Sequence, residues 1–205
     1  MVSRRRLTKW GLLALVAQGA GTVLAAGPDD AAVYAAFLNT IVQQSDKAEE
    51  TGRTVTLVLH PMSLDIERGS HMPASVDDIL KRMPGVDRLA AADLLPKLAQ
   101  PEAIVLPLTM LDARLHVIQP PASDIDEIFA ARRSPETRWK KFDERFPAAT
   151  SLVRFSPVGY NPQFDEAVFF VNITCGVLCG AGALLWARKT AIGWRVVDQQ
   201  GLWVS

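Results

Sequence analysis

The side chains that could do chemistry in this chain are two cysteines, three histidines and a scatter of carboxylates. Cys175 and Cys179 are the only cysteines in the 205 residues. They flank the tip of an expected β-hairpin, where their Cα atoms would fall within the roughly 7 Å that a bridge requires. In an oxidising compartment such a pair persists as a disulfide. The loop-entropy rule assigns about 2 kcal/mol to so short a ring. A redox-active pair is the sharper alternative. Thioredoxin-type motifs, however, use two intervening residues at a helix N-terminus, where the dipole lowers the thiol pKa; here three intervene, between strands. Zinc would need further ligands close by.

The histidines are His60, His71 and His116. Three imidazoles with a carboxylate can build a zinc site or an acid–base pair. No two of them have the spacing of a metal motif, so scattered structural or surface histidines are the simpler reading. Nucleophile motifs of the Gly-x-Ser-x-Gly and Ser-x-x-Lys types are absent. Gly180-Ala181-Gly182 enters a strand, whereas a phosphate-cradling loop opens a helix; these glycines read as positive-φ or bulge positions. Asp124, Asp126 and Glu127, followed by Arg132 and Arg133, lack the spaced ligands and central glycine of an EF-hand. They read as the acidic first turn of a short helix capped by Ser123. Trp186, Trp194 and Trp203 fall on neighbouring strands, as core or as an aromatic platform. No residue is assigned as catalytic, cofactor-binding or metal-binding, and no cofactor is expected.

The elements that must position these groups follow from periodicity. Val33/Tyr34, Phe37/Leu38 and Ile41/Val42 give one apolar face to a helix over Ala31–Glu50, with Asp30 placed to cap it. Thr54–Leu59 reads as a strand stopped by His60-Pro61. Ser75-x-x-Asp78 resembles a capping box opening a helix to about Met83, and a second helix follows over Val86–Leu95. Ala103–Leu106 and Arg114–Gln119 look extended. Ser134-Pro135-Glu136 is a strong helix start, with Trp139, Phe142 and Phe146 on one face. Leu152–Ser156, Ala167–Thr174, Ala183–Lys189 and Trp194–Val204 are β-rich runs divided by turn residues, among them Gly159-Tyr160-Asn161-Pro162. The expected fold class is α+β: N-terminal helices packed on one face of an antiparallel sheet that ends in a four-stranded C-terminal meander.

The N-terminus sets the compartment. Arg4, Arg5, Arg6 and Lys9 precede an uncharged apolar stretch, Trp10–Leu24, that ends in small residues. This is the tripartite pattern of a cleavable signal peptide. The stretch is shorter than the about 20 apolar residues of a membrane anchor. Residues 1–26 are therefore expected to be a signal peptide and 27–205 a single α+β domain, periplasmic or secreted. The Ser3–Lys9 run also resembles a twin-arginine signal, so the general secretory and twin-arginine routes both stay open. The leader holds four of the 22 basic residues and none of the 22 acidic ones, so the remainder carries 18 minus 22, a net charge of −4. A mildly acidic domain without a basic run is a poor nucleic-acid binder, and no second apolar stretch is long enough to span a membrane.

At the meander the chain resembles a family of uncharacterised exported bacterial proteins. The residues that carry the resemblance are Ser156-Pro157-Val158-Gly159-Tyr160-Asn161, Ala167–Val171, Cys175-Gly176-Val177-Leu178-Cys179-Gly180, Gly193-Trp194-Arg195-Val196 and the terminal Trp203-Val204-Ser205. It covers about Thr137–Ser205. Pro157 stands where the family pattern has Arg, and Tyr160 where it has Phe. The resemblance implies the fold and the compartment and carries no activity. The expected function is a non-catalytic module binding an envelope protein, peptide or glycan, with an envelope hydrolase as the alternative. The expected binding surface joins Ser156, Gly159, Tyr160 and Asn161 to the Cys175–Gly180 tip and Trp186.

Overall fold

The structure is a computed structural model that describes residues 29–47, 54–64 and 72–205. The leader and His71 lie outside the described residues.

The chain runs α1 (Asp30–Lys47), β1 (Val55–Leu59), α2 (Val76–Arg82), α3 (Arg88–Lys97), β2 (Leu115–Ile118), α4 (Ala122–Ile128), α5 (Pro135–Arg145), β3 (Ser151–Phe155), β4 (Gly159–Tyr160), β5 (Glu166–Gly176), β6 (Cys179–Thr190) and β7 (Gly193–Val204). Local signals start the helices as read. The Ser75 side chain accepts from the Asp78 amide and donates its hydroxyl to the Asp78 carboxylate. Ser134 accepts from the Thr137 amide, with Pro135 in the first turn. At α4 the reading fails. The helix starts after Pro121, with no side-chain cap, and Ser123 lies inside it. The fixed φ of the second of two prolines directs the chain into the helix without a capping hydroxyl.

The seven strands form one sheet in the order β2-β1-β3-β5-β6-β7, with β4 paired to β5. The meander β3-β5-β6-β7 is antiparallel throughout. The α+β class and the C-terminal meander thus stand. The sheet as a whole is mixed, because β1 runs parallel to both β2 and β3. Parallel neighbours need a crossover of a dozen or more residues, and the segments carrying α2–α3 and α4–α5 supply it. Ala103–Leu106, read as extended, contributes an isolated bridge from Ala103 to Met62.

Helices cover both faces. On one face α1 lays Val33, Tyr34, Phe37, Leu38 and Val42 against Leu57 and Leu59 of β1, Val153 and Phe155 of β3, and Phe169 of β5. Tyr34 stacks on Phe155 with ring centroids 4.4 Å apart. Successive strand residues point to opposite faces. On the other face Val168, Phe170 and Leu184 therefore pack under α2 and α3, with Ile79, Met83 and Leu94. Further along that face Val58 and Leu152 pack under α4 and α5, with Ile125, Phe142 and Phe146. A single-sided arrangement would have left Phe170 and Leu184, both under 2% exposed, in water.

Candidate functional site

The sequence singled out the turn at Ser156–Asn161, and the structure buries it. Ser156 is 0% exposed, Tyr160 7% and Asn161 5%. The Ser156 hydroxyl accepts from the Phe170 amide and donates to the Pro157 carbonyl. Gly159 and Tyr160 form β4 rather than a turn. A Cβ on Gly159 would overlap the backbone of α3 at Ala90 and Leu94, so the glycine lets the helix descend onto the sheet. The turn proper is built by Asn161, whose carboxamide oxygen accepts from the amides of Asp165 and Glu166. Phe164 sits there with φ +55°. The Tyr160 hydroxyl donates to Asp30 Oδ1 at 2.5 Å, and the Tyr34 hydroxyl to the Ser156 carbonyl at 2.7 Å. Burial, then the neighbouring Asp30 charge, raises both phenols above their ordinary pKa, so both stay protonated donors. Asp30, expected as a cap, opens α1 and anchors it to β4.

Cys175 and Cys179 stand at disulfide distance, with Cα atoms 5.0 Å apart. They staple the tip of the β5–β6 hairpin, where Leu178 is 84% exposed. This tip and the Asn161 turn lie at opposite ends of β5. Tyr160 pairs with Ala167, nine residues from Gly176, or about 30 Å of strand. The two halves of the expected binding surface are not brought together. Trp186 sits beside the turn, with its indole N–H donated to Glu166 Oε2 and Arg188 over its ring.

The three tryptophans do not share a platform. Trp194 faces the α1 side and Trp186 the α2–α3 side, while Trp203 lies over Gly182. A bulge at Leu202 puts it and Trp203 on one face in succession. Gly182 therefore serves the close approach of an indole; among the described glycines positive φ belongs to Gly193.

The histidines are likewise separate. His60 is 3% exposed and ends β1. His116 is exposed and pairs with Thr56, four residues back along β1, or about 13 Å. Among the described residues no three of His, Cys, Asp and Glu are grouped to hold a metal. The acidic cluster divides its partners: Asp124 pairs with Arg145, Glu127 with Arg133, and Asp126 approaches His60 Nε2 at 3.7 Å.

One concavity was not anticipated. It is a groove of about 870 Å³ between α1 and the edge strand β7. One wall is Asn39, Thr40, Gln43 and Gln44 of α1; the other is Trp194 through Gln199. Trp194, one of its lining residues, meets Tyr160 with ring centroids 5.8 Å apart and lies under the Lys189 ammonium. The Trp194 indole N–H is buried and has no hydrogen-bond partner among the described residues. Ile192, wholly exposed, also lines it. On its outer side β7 pairs with no strand among the described residues. The only sequence signal for this groove was the polar face of α1, which presents two glutamines where a solvated helix commonly carries charge.

No helix among the described residues is long and apolar enough to cross a membrane. Comparison of the chain with protein families, with curated proteins and with solved structures finds no match.

Proposed function

We propose that this chain is an exported, non-catalytic binding module that takes an extended peptide segment in the groove between α1 and β7. The observation that carries the reading is an open strand edge lying beside a walled groove. Such an edge offers main-chain N–H and C=O groups as a template, and pockets beside it read alternate side chains. Here the groove supplies amide side chains from α1 on one wall and Trp194 and Val196 on the other. The bulge at Val197 interrupts the ladder, so the regular edge available to a docked segment is Gly193–Val196 and the segment is short. Export is supported by the tripartite composition of residues 1–26 and by a cysteine pair at disulfide distance.

The test is panning of a displayed library of random peptides on the folded domain, followed by titration of the enriched peptides. Binding weakened about tenfold or more by Trp194→Ala, the loss of one aromatic anchor, supports the assignment. Peptides that bind Trp194→Ala and the unaltered domain equally, or no enrichment at all, count against it.

A further inference from the structure

The tip of the β5–β6 hairpin carries side chains that its turn does not call for. Gly176 pairs with Cys179, so Val177 and Leu178 are the two loop residues between the strands. Glycine, asparagine and aspartate are the usual occupants of such positions. Here both are aliphatic, with Leu178 84% exposed and Val177 41%. Neither has a positive φ, so ordinary polar residues would fit the turn equally well. Beside them Val204 of β7, opposite Ala181, is also 84% exposed.

The surroundings of the tip lack charge. Residues 173–187 and 199–205 contain no Asp, Glu, Lys, Arg or His. In the fold these runs are the tip end of the β5–β6 hairpin and the end of β7 paired to it. The β6–β7 hairpin differs: its exposed Ile192 has Arg188, Lys189 and Arg195 within four residues. The cysteine pair closes the β5–β6 tip, so Val177 and Leu178 are held outward at little further ordering cost. Trp203 lies half-buried behind them on Gly182, and indoles collect where hydrocarbon meets water. The area available selects the occupant. A stable protein interface takes about 20–30 residues a side, and the six residues Cys175–Gly180 cannot supply that. A bilayer surface needs only a few apolar side chains that reach the acyl boundary without carrying a charge in with them.

We propose that Val177 and Leu178, flanked by Val204, form a lipid-contacting tip by which the folded chain docks reversibly on a bilayer surface without spanning it. The headgroups it fits carry no net charge, because the tip offers no cation and residues 27–205 carry a net charge of −4, which anionic lipids repel. The tip is not among the residues lining the α1–β7 groove, so either assignment can fail alone.

The experiment is co-sedimentation of the protein, purified from an exporting bacterium, with phosphatidylcholine vesicles at millimolar lipid. The ratio between variants is the readout, since residues 1–26 are handled alike in all of them. The unaltered protein should partition onto the vesicles, and Leu178→Asp should lower the partition about tenfold or more. Aspartate is itself a turn former and Leu178 is largely in water, so this variant should melt with the unaltered protein. Val105→Asp adds the same charge at a site 75% exposed, beside Leu106, whose amide bonds to Gln119 after β2, and should leave the partition unchanged. Raising the salt should not release the protein, because no charge pair holds it. Absence of partition, equal partition of Leu178→Asp and Val105→Asp, or release by salt overturns the proposal. So does a protein that ignores vesicles but forms dimers that Leu178→Asp dissociates, which assigns the tip to a second copy of the chain.

Discussion

Replacing Tyr160 by Phe removes a single oxygen from the bond that ties the start of α1 to the sheet. Tyr160 Oη and Asp30 Oδ1 are 2.5 Å apart, in residues 7% and 2% exposed and 130 positions apart in sequence. The phenol is the donor, because burial and the Asp30 charge raise its pKa above the ordinary phenol value and keep it protonated at neutral pH. A buried hydrogen bond to a charged group contributes about 1.5–3 kcal/mol. The ring itself still fits, since its neighbours Phe164 and Trp194 touch the aromatic face. The loss should therefore come from the hydroxyl alone. With a urea m-value of about 2 kcal/mol/M, the unfolding midpoint should fall by about 1 M at unchanged m. Asp30→Asn retains an acceptor oxygen and should cost less. The double variant should cost less than the sum of the two, because both act on one bond. A Tyr160→Phe midpoint within about 0.3 M of the unaltered chain would refute the reasoning, since it would put the bond below the range for buried charged pairs.

Other outcomes follow from the same geometry. Gly159→Ala places a methyl into the backbone of α3; overpacking of this kind costs about 1–3 kcal/mol or more, and a thermal melt equal to that of the unaltered chain contradicts the close approach. Burial, and then the Arg154 guanidinium, hold His60 below its ordinary pKa. The unfolded chain thus binds a proton that the fold resists, and stability should be full above about pH 6.5 and fall as pH drops below it. Urea midpoints at neutral and mildly acidic pH should converge in His60→Gln; an unchanged decline assigns the effect to other groups. Replacing both cysteines by Ser should cost about 2 kcal/mol or less, as the closed ring is short, and raise amide exchange chiefly at the β5–β6 tip; a global loss of protection rejects a local staple.

Local rules made most of the elements legible. The four-residue recurrence in α1, the capping serines of α2 and α5 and the β-rich runs of the meander each translate directly into the observed element. Long-range pairing did not translate. Nothing within Val55–Leu59 or Leu115–Ile118 specifies that these strands lie side by side and parallel, because that register is set by crossovers and by burial on two faces. Gly159 and Tyr160 carry turn composition, yet the tight descent of α3 and the bond to Asp30 make them a strand. The candidate surface failed to assemble for a related reason. Ser156, Tyr160 and Asn161 are buried and, with Gly159, solve an internal packing problem. Arg154 did leave a trace. In Leu152–Ser156 an arginine occupies the same face as buried Leu152, and a charge on an apolar face is the feature that asks for a counter-ion.

The proposed role of β7 and α1 in receiving a peptide has a direct test. The direct measurement is amide hydrogen exchange of the domain, free and saturated with a peptide enriched by panning. A peptide seated in the groove should bring new protection at outward-facing amides within Gly193–Val196, with chemical-shift changes at Gln43, Gln44 and Trp194. Protection confined to the Cys175–Gly180 tip or to the helical face over α2–α5, with β7 unchanged, would contradict it.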